Sequence, residues 1–319
     1  MSTVTSTVRI GISSCLLGQE VRFDGGHKRD RFLTDTFGRF VEWVPVCPEV
    51  EAGFGTPREA MRLVNDAGRV RLITVKTARD LTGTMERYAR RRVEELARDA
   101  LCGYVLKKDS PSCGMARVKV YDAQTVPARD GVGLFAAALR ARHPFLPIEE
   151  EGRLADPRIR DNFVERVFAY QRLRALFAGR WSIGALVRFH TIHKLSLMAH
   201  SVTAYQSLGR LVANATSRSR DDLETRYTEG FMTALEPIAT TRRHTNVLQH
   251  MAGYFKKQLD AVSRAELAAT IEDYCAGLVP LVVPITLIRH HVRQHGVSYL
   301  ADQVYLAPHP KELMLRNHV

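Results

Sequence analysis

The chain has 319 residues, 45% of them hydrophobic and 25% charged, a balance that belongs to a folded globular protein and excludes a disordered or fibrous chain. Its formal net charge of +12 suits a polyanionic partner such as RNA or DNA, an anionic membrane surface, or simply a well-solvated basic surface. Five cysteines, odd in number and irregularly spaced, exclude a regular disulfide framework and point to the cytosol, where thiols serve metals or catalysis.

The opening stretch MSTVTSTVRIG lacks the charged start and apolar run of a signal peptide. Residues 8–14, 40–46, 70–76, 103–107 and 116–121 are predicted strands, short, rich in β-branched residues or bounded by turn residues. Residues 77–100 are predicted to form one long helix, capped by Thr77 or Thr84 and laced with acid–base pairs at helical spacing. A second helix is expected over residues 132–142. This alternation predicts an α/β domain with a largely parallel sheet over residues 1–150. Residues 143–160, with Pro144, Pro147, Pro157 and the acids Glu149, Glu150 and Glu151, read as a linker. Beyond it the period becomes helical in residues 162–177, 183–214, 221–240, 245–261, 264–276 and 284–295. Residues 161–319 are therefore expected to form an all-α domain. The longest apolar run, residues 277–288, is too short to span a bilayer and contains Pro280 and Pro284. Basic residues outnumber acidic ones by 27 to 21 in residues 1–160 and by 19 to 13 in residues 161–319, so the positive charge is not confined to a tail.

Three cysteines carry the first chemical signal. Cys15, Cys47 and Cys113 each fall just after a predicted strand. In a parallel sheet those strand ends share one edge, where ligands bind. A structural metal site closes its shell with four protein ligands, whereas a catalytic one leaves a position open. Soft thiolates suit zinc or an iron–sulfur cluster; buried structural thiols are the plainer reading. The chain has no C-x3-C-x2-C triplet. Cys102 and Cys275, elsewhere in the pattern, are expected to pack as small apolar residues.

Around these thiols stand further candidates. The turn VRFDGGHK groups Arg22, Asp24, His27 and Lys28 about Gly25 and Gly26; it is either a substrate-holding loop or a solvated turn. His27 is placed to complete a Cys3His zinc site. Glu49 and Glu51 follow Cys47, and a carboxylate beside a metal can act as a general base. Ser110 and Ser112 flank Pro111 just before Cys113, as hydrogen-bond donors to a ligand or as turn formers. Ten of the twelve histidines lie in the second half, with His190 and His193, and His291 and His295, sharing helical faces. No carboxylate completes a recognised metal pattern there. Together with Arg188, Lys194, Tyr205, Arg242, Arg243, Tyr254, Phe255, Lys256 and Lys257 they read as an RNA-contacting surface, or as the solvated faces of amphipathic helices.

The segments GISSCLLGQEVRFDGGHK, VCPEVEAGFGTPRE and LKKDSPSCG together resemble the thiouracil desulfidase family over roughly residues 8–150. The second half, with LVRFHTIHKLSLMAHS and HPKELMLRNHV, resembles the helical domain fused to desulfidase domains in bacterial proteins that remove sulfur from 4-thiouridine in tRNA. The resemblance implies a [4Fe-4S] cluster ligated by Cys15, Cys47 and Cys113, with one iron not ligated by protein. It implies Glu49 as the base that activates water, and Ser110 or Ser112, with Ser110 preferred, as the catalytic serine. Arg22, Asp24, His27, Lys28 and Ser112 are the looser substrate-binding candidates. The implied reaction is hydrolytic, leaving uridine and hydrosulfide, in a cytoplasmic protein with no membrane and no obligate protein partner. Two other readings stay open: a desulfidase restricted to free thiouracil or thiouridine, and a non-enzymatic RNA-binding protein with a structural zinc.

Overall fold

Apolar residues fill RIGIS and GYVL almost throughout, and such runs form strands covered on both faces. In the computed structural model, which describes residues 7–122 and 127–319, the chain divides into two units, Met1–Ala155 and Asp156–Val319. Of the opening stretch read for a leader, residues 1–6 lie outside the described residues.

The first unit runs β1 (Arg9–Ser13), β2 (Glu42–Val46), α1 (Pro48–Glu51), β3 (Met61–Asp66), β4 (Arg69–Thr74), α2 (Thr82–Arg98), β5 (Gly103–Leu106), β6 (Val118–Tyr121), β7 (Ala128–Gly131), α3 (Leu134–Arg142) and β8 (Ile148–Glu150). One sheet, ordered β2-β1-β5-β8, is wholly parallel. The other, ordered β4-β3-β6-β7, pairs β3 with β6 in parallel and has antiparallel edges. At the centre of the parallel sheet Gly11 pairs with Tyr104, and a Cβ on Gly11 would stand 2.2 Å from the tyrosine ring. Glycine there lets the ring lie across the strand toward Phe135 of α3, at 6.0 Å between centroids. Helix α2 buries Met85, Ala89, Val93 and Leu96 at helical spacing.

Four expectations for this unit change. The stretch read as a linker contributes β8, the edge strand beside β5, with Val105 opposite Glu149 and Leu106 opposite Glu150. Its acids and prolines disguised it, because an edge strand needs neither an apolar run nor every N–H. Residues 70–76 and 116–121 do form strands, β4 and β6, but in the second sheet. Strands β3 and β7 carried too little alternation to be read. Helix α2 starts at Thr82, not at residue 77. Asp80 Oδ1 accepts from the Thr82 amide at 2.9 Å and hydroxyl at 2.6 Å, while the Thr77 hydroxyl is held by Glu59.

The second unit is built from α4 (Pro157–Phe177), α5 (Ile183–Ile192), α6 (Lys194–His200), α7 (Val202–Ala213), α8 (Arg220–Leu235), α9 (Thr241–Ala252), α10 (Ala261–Cys275), α11 (Val282–His295) and the short α12 (Ser298–Ala301). The sequence marks most starts: Asp156, Ser182, Ser201, Ser219, Thr240 and Asp260 each accept a backbone N–H at a helix N-terminus. The helix expected over residues 183–214 is three. His193 leaves helical geometry at φ −96° and ψ 1°, and extended Ser201 restarts the chain as a cap. Leu195, Leu248, Met251, Phe255, Ile288 and Tyr305 anchor the core of this unit. Among the described residues no helix is long and apolar enough to cross a membrane.

Candidate active site

The carboxyl ends of β1, β2 and β5 lead into three turns, and each turn delivers one cysteine. Cys15 sits in the 3-10 turn after β1, Cys47 caps α1, and Cys113 ends the SPSC turn after β5. All three are buried and line one cavity of about 340 Å³, together with Glu49, Ser110 and Arg58. Burial pushes the Cys15 thiol up to about 11 and Cys47 to about 12, with the Glu49 carboxylate adding to both. Burial and Glu49 also drive Cys113 well above an ordinary thiol; the Ser13 hydroxyl, hydrogen-bonded to it, opposes them, while Cys15 and Cys47 reinforce them. Without a cation among them the three thiols hold their protons.

The carboxylate of Glu49, 8% exposed, lies between the thiols and the second serine-bearing turn. Its Oε2 accepts from Cys47 Sγ at 3.6 Å, its Oε1 accepts from Ser110 Oγ at 3.3 Å, and Arg58 Nη2 stands 4.0 Å away. Ser110 Oγ in turn accepts the amides of Ser112 at 3.2 Å and Cys113 at 3.0 Å, so its proton is directed to Glu49. Ser112 is fully buried, does not line the cavity, and among the described residues its hydroxyl has no hydrogen-bond partner. Glu51 turns away from the cavity. Its Oε1 accepts the Cys47 amide at 3.0 Å and its Oε2 the Tyr88 hydroxyl at 2.6 Å, tying α1 to α2.

The VRFDGGHK turn folds back over Cys15: the Lys28 amide donates to the Cys15 carbonyl at 2.9 Å, and Arg58 Nη1 donates to the Val21 carbonyl at 2.9 Å. Gly25, at φ +76°, makes the reversal possible. Arg22 and Lys28 line the cavity; Asp24 and His27 do not. Asp24 instead accepts the Gly26 amide and pairs with Arg22 at 3.4 Å, and exposed His27 accepts the Arg29 amide at 3.2 Å. A Cys3His site with His27 is therefore not assembled. Among the described residues no three His, Cys, Asp or Glu side chains converge closely enough to hold one metal ion.

The family model described as 2-thiouracil desulfurase matches residues 10–151, and one described as a protein of unknown function (DUF1722) matches residues 194–310. The Escherichia coli (strain K12) protein YbgA is 34% identical over 161 residues, covering 50% of this chain and 95% of its own length. The Bacillus subtilis (strain 168) protein YbbK is 32% identical over 111 residues, covering 32% and 71%. The chain belongs to the 2-thiouracil desulfurase family. A solved structure of the [4Fe-4S]-dependent thiouracil desulfidase TudS is similar at 29% identity and a TM-score of 0.40, over 47% of this chain and 94% of that one.

For a desulfurase-family domain, the reading of sequence missed the residues that lock the cysteine turn. Glu150 Oε1 accepts the Met115 amide at 2.7 Å. Glu151 pairs with Lys107 Nζ and accepts the Lys108 amide at 2.8 Å. Ser13 Oγ accepts the Lys107 amide at 3.0 Å. The acids dismissed as a linker thus hold the loop that presents Ser110 and Cys113. Three consecutive carboxylates in a chain that also carries the basic LKK segment was the available signal. Cys102 is buried and does not line the cavity, and Cys275, expected to pack as a small apolar residue, is exposed.

The histidines of the second unit are mainly core. His193 Nδ1 bonds the Phe189 carbonyl at 2.8 Å, His190 the Tyr227 hydroxyl at 3.1 Å, and His244 the Tyr305 hydroxyl at 2.7 Å. His291 and His295 lie 6.0 Å apart, ring to ring. Phe255, expected on a contact surface, is fully buried, and Arg243 donates to the His200 carbonyl at 2.5 Å. Lys194 remains at the surface between Tyr205 and Tyr299, 6.0 and 5.9 Å from their rings, while Arg188, Arg242, Lys256 and Lys257 are exposed.

Proposed function

We propose that the chain removes sulfur from thiolated uracil by hydrolysis, with 4-thiouridine in tRNA as substrate and uridine and hydrosulfide as products. The observation that carries this is one cavity in a desulfurase-family domain where three buried thiols meet Glu49 and its partner Ser110.

The donor set fits an iron–sulfur cluster. Three soft thiols line one cavity, and soft thiolates are the donors that hold iron–sulfur clusters. Cys15, Cys47 and Cys113 would hold a [4Fe-4S] cluster. When bound, such a cluster supplies a Lewis-acidic iron without a protein ligand, suited to a soft thiocarbonyl sulfur. Loading it requires the three raised thiols to give up their protons.

The remaining work falls to the chain. Glu49 Oε1 takes a proton from the water that attacks the thiocarbonyl carbon. Ser110, donating to the same oxygen, fixes the carboxylate and can relay that proton. Arg58 holds the opposite side of the carboxylate and the Val21 turn together. Water supplies the oxygen and two protons, of which one leaves with sulfur as hydrosulfide and the other passes from Glu49 to solvent, so no external electrons enter. The even spread of positive charge over both units favours a polyanionic substrate over a free base.

The test is anaerobic incubation of the iron–sulfur-reconstituted full chain with thiolated tRNA, followed by nucleoside analysis. Conversion of 4-thiouridine to uridine is expected. A protein that carries iron and sulfide yet leaves 4-thiouridine intact would refute the reading, and so would a colourless protein with stoichiometric zinc. Conversion of free thiouracil alone would restrict it to small substrates.

A further inference from the structure

Beside the thiol cavity lies a second hollow of about 290 Å³, separated from it by Met61, Asp109 and Pro111, which line both. The second sheet forms its floor: Arg62 on β3, Lys119 and Tyr121 on β6, and Arg129 on β7. Among the described residues none of these three cations has a carboxylate within ion-pair distance. Arg71 on neighbouring β4, by contrast, is paired with both Asp66 and Asp80. Arg62 lies over the Tyr121 ring, 5.1 Å from its centroid, and its buried Nε has no hydrogen-bond partner among the described residues. Asp109 is the carboxylate on the shared rim.

An uncharged thiobase in the thiol cavity has no group for three unpaired cations to meet. A nucleotide joined to that base does. Phosphates are met by arginine and lysine, and unpaired bases stack on aromatic rings and guanidinium planes. We propose that this hollow receives the nucleotide flanking the target base in a single-stranded stretch of RNA. Arg62, Lys119 and Arg129 meet its phosphate, and the Arg62–Tyr121 stack meets its base. The proposal rests on the desulfidase reading for the identity of the target base. It makes substrate choice a property of the first unit.

The experiment uses the cluster-free full chain and unmodified ligands, so that binding is read apart from turnover. Titration calorimetry at low salt compares the dinucleotide UpU with uridine and with uridine monophosphate. UpU is expected to bind at least tenfold more tightly than either. The exposed pair Lys119→Ala and Arg129→Ala should remove that advantage while leaving uridine unchanged, and raising salt should weaken UpU selectively. Arg62→Lys, which keeps the charge but loses the planar stack, should weaken UpU less than the double variant does. Equal affinity for UpU and uridine, or a double variant that binds UpU as well as the parent, overturns the proposal. A monophosphate that binds as tightly as UpU also overturns it, since a flanking base then adds nothing. If the loaded enzyme converts no thiolated substrate while UpU binding behaves as described, the desulfidase reading fails and the flanking-nucleotide site stands.

Discussion

Ser110 and Ser112 stand two residues apart in one turn, yet their removal should act in opposite directions. In Ser110→Ala the amides of Ser112 and Cys113 lose their acceptor, the hydroxyl that binds them at 3.2 and 3.0 Å. Each lost bond to a shielded amide costs about 1 kcal/mol. The turn that carries Cys113 should therefore weaken by about 2 kcal/mol, roughly a thirtyfold rise in its opening equilibrium. In Ser112→Ala a buried hydroxyl, without a hydrogen-bond partner among the described residues, is replaced by hydrogen. That change should be neutral or stabilising by up to about 1 kcal/mol, because an unmet polar group leaves the interior. Hydrogen exchange of the cluster-free protein, followed by mass spectrometry over residues 107–118, measures both without requiring the two units to unfold together. Thirtyfold faster exchange in Ser110→Ala, with unchanged or slower exchange in Ser112→Ala, is expected. Equal protection in the two variants, or greater loss in Ser112→Ala, would refute the assignment of Ser110 as the hub of the turn.

Three further outcomes follow from the geometry. Glu49→Gln should retain iron and sulfide but lose turnover by about a hundredfold or more, as removal of a general base does; a variant with parental single-turnover rate would deny Glu49 that role. Gly133→Ala places a Cβ 2.4 Å from the Ser112 carbonyl and 2.9 Å from the Cys113 amide, so the backbone must shift; a loss of about 1–3 kcal/mol and poorer iron retention should appear in thermal unfolding and metal analysis, and unchanged values would count against the packing described. In the second unit burial holds His193 and His244 down to about 3, aided by Arg172 and Arg316 respectively, whereas an unfolded histidine titrates near 6.5. Between those values the unfolded chain binds protons that the folded chain refuses, so this contribution to stability is complete above pH 6.5 and is lost as pH falls. The loss at pH 5 is about 2 kcal/mol per histidine. His200 works the other way: although burial disfavours its charge, Glu165 raises it, and it supports folding at lower pH until the pH rises through its folded value. Thermal unfolding of the helical unit should show a lower midpoint at pH 5 than at pH 7, with proton uptake on unfolding; a midpoint that is flat or rises toward pH 5 would reject this balance.

The parts of the candidate active site that could be read in the sequence are those where chemistry and strand pattern coincide. Each of Cys15, Cys47 and Cys113 follows an apolar run that does form a strand of the parallel sheet, and a parallel sheet has one ligand-binding edge. Glu49 and Ser110 stand close to those cysteines in sequence, and both enter the cavity. Distant partners were not legible. Glu150 and Glu151 reach the cysteine loop across 35 and 44 residues, and the tie depends on β8 lying beside β5, which a charged edge strand conceals. His27 and Asp24 failed for the opposite reason: a polar residue near a glycine turn satisfies the turn's own amides first. In the helical unit periodicity located helices but not their breaks at His193 and Ser201, since a buried histidine bonding a local carbonyl looks like any other polar residue of an amphipathic face.

The placement of β8 has a consequence for how the protein is made. The cysteines emerge from the ribosome at positions 15, 47 and 113, but the carboxylates that fasten the third turn come only at positions 150 and 151. A nascent chain therefore passes through an interval in which every thiol has been synthesised and the last of them is still unanchored. Any ligand that needs all three thiols, the proposed cluster included, would meet a finished receptacle only after this final strand has left the exit tunnel.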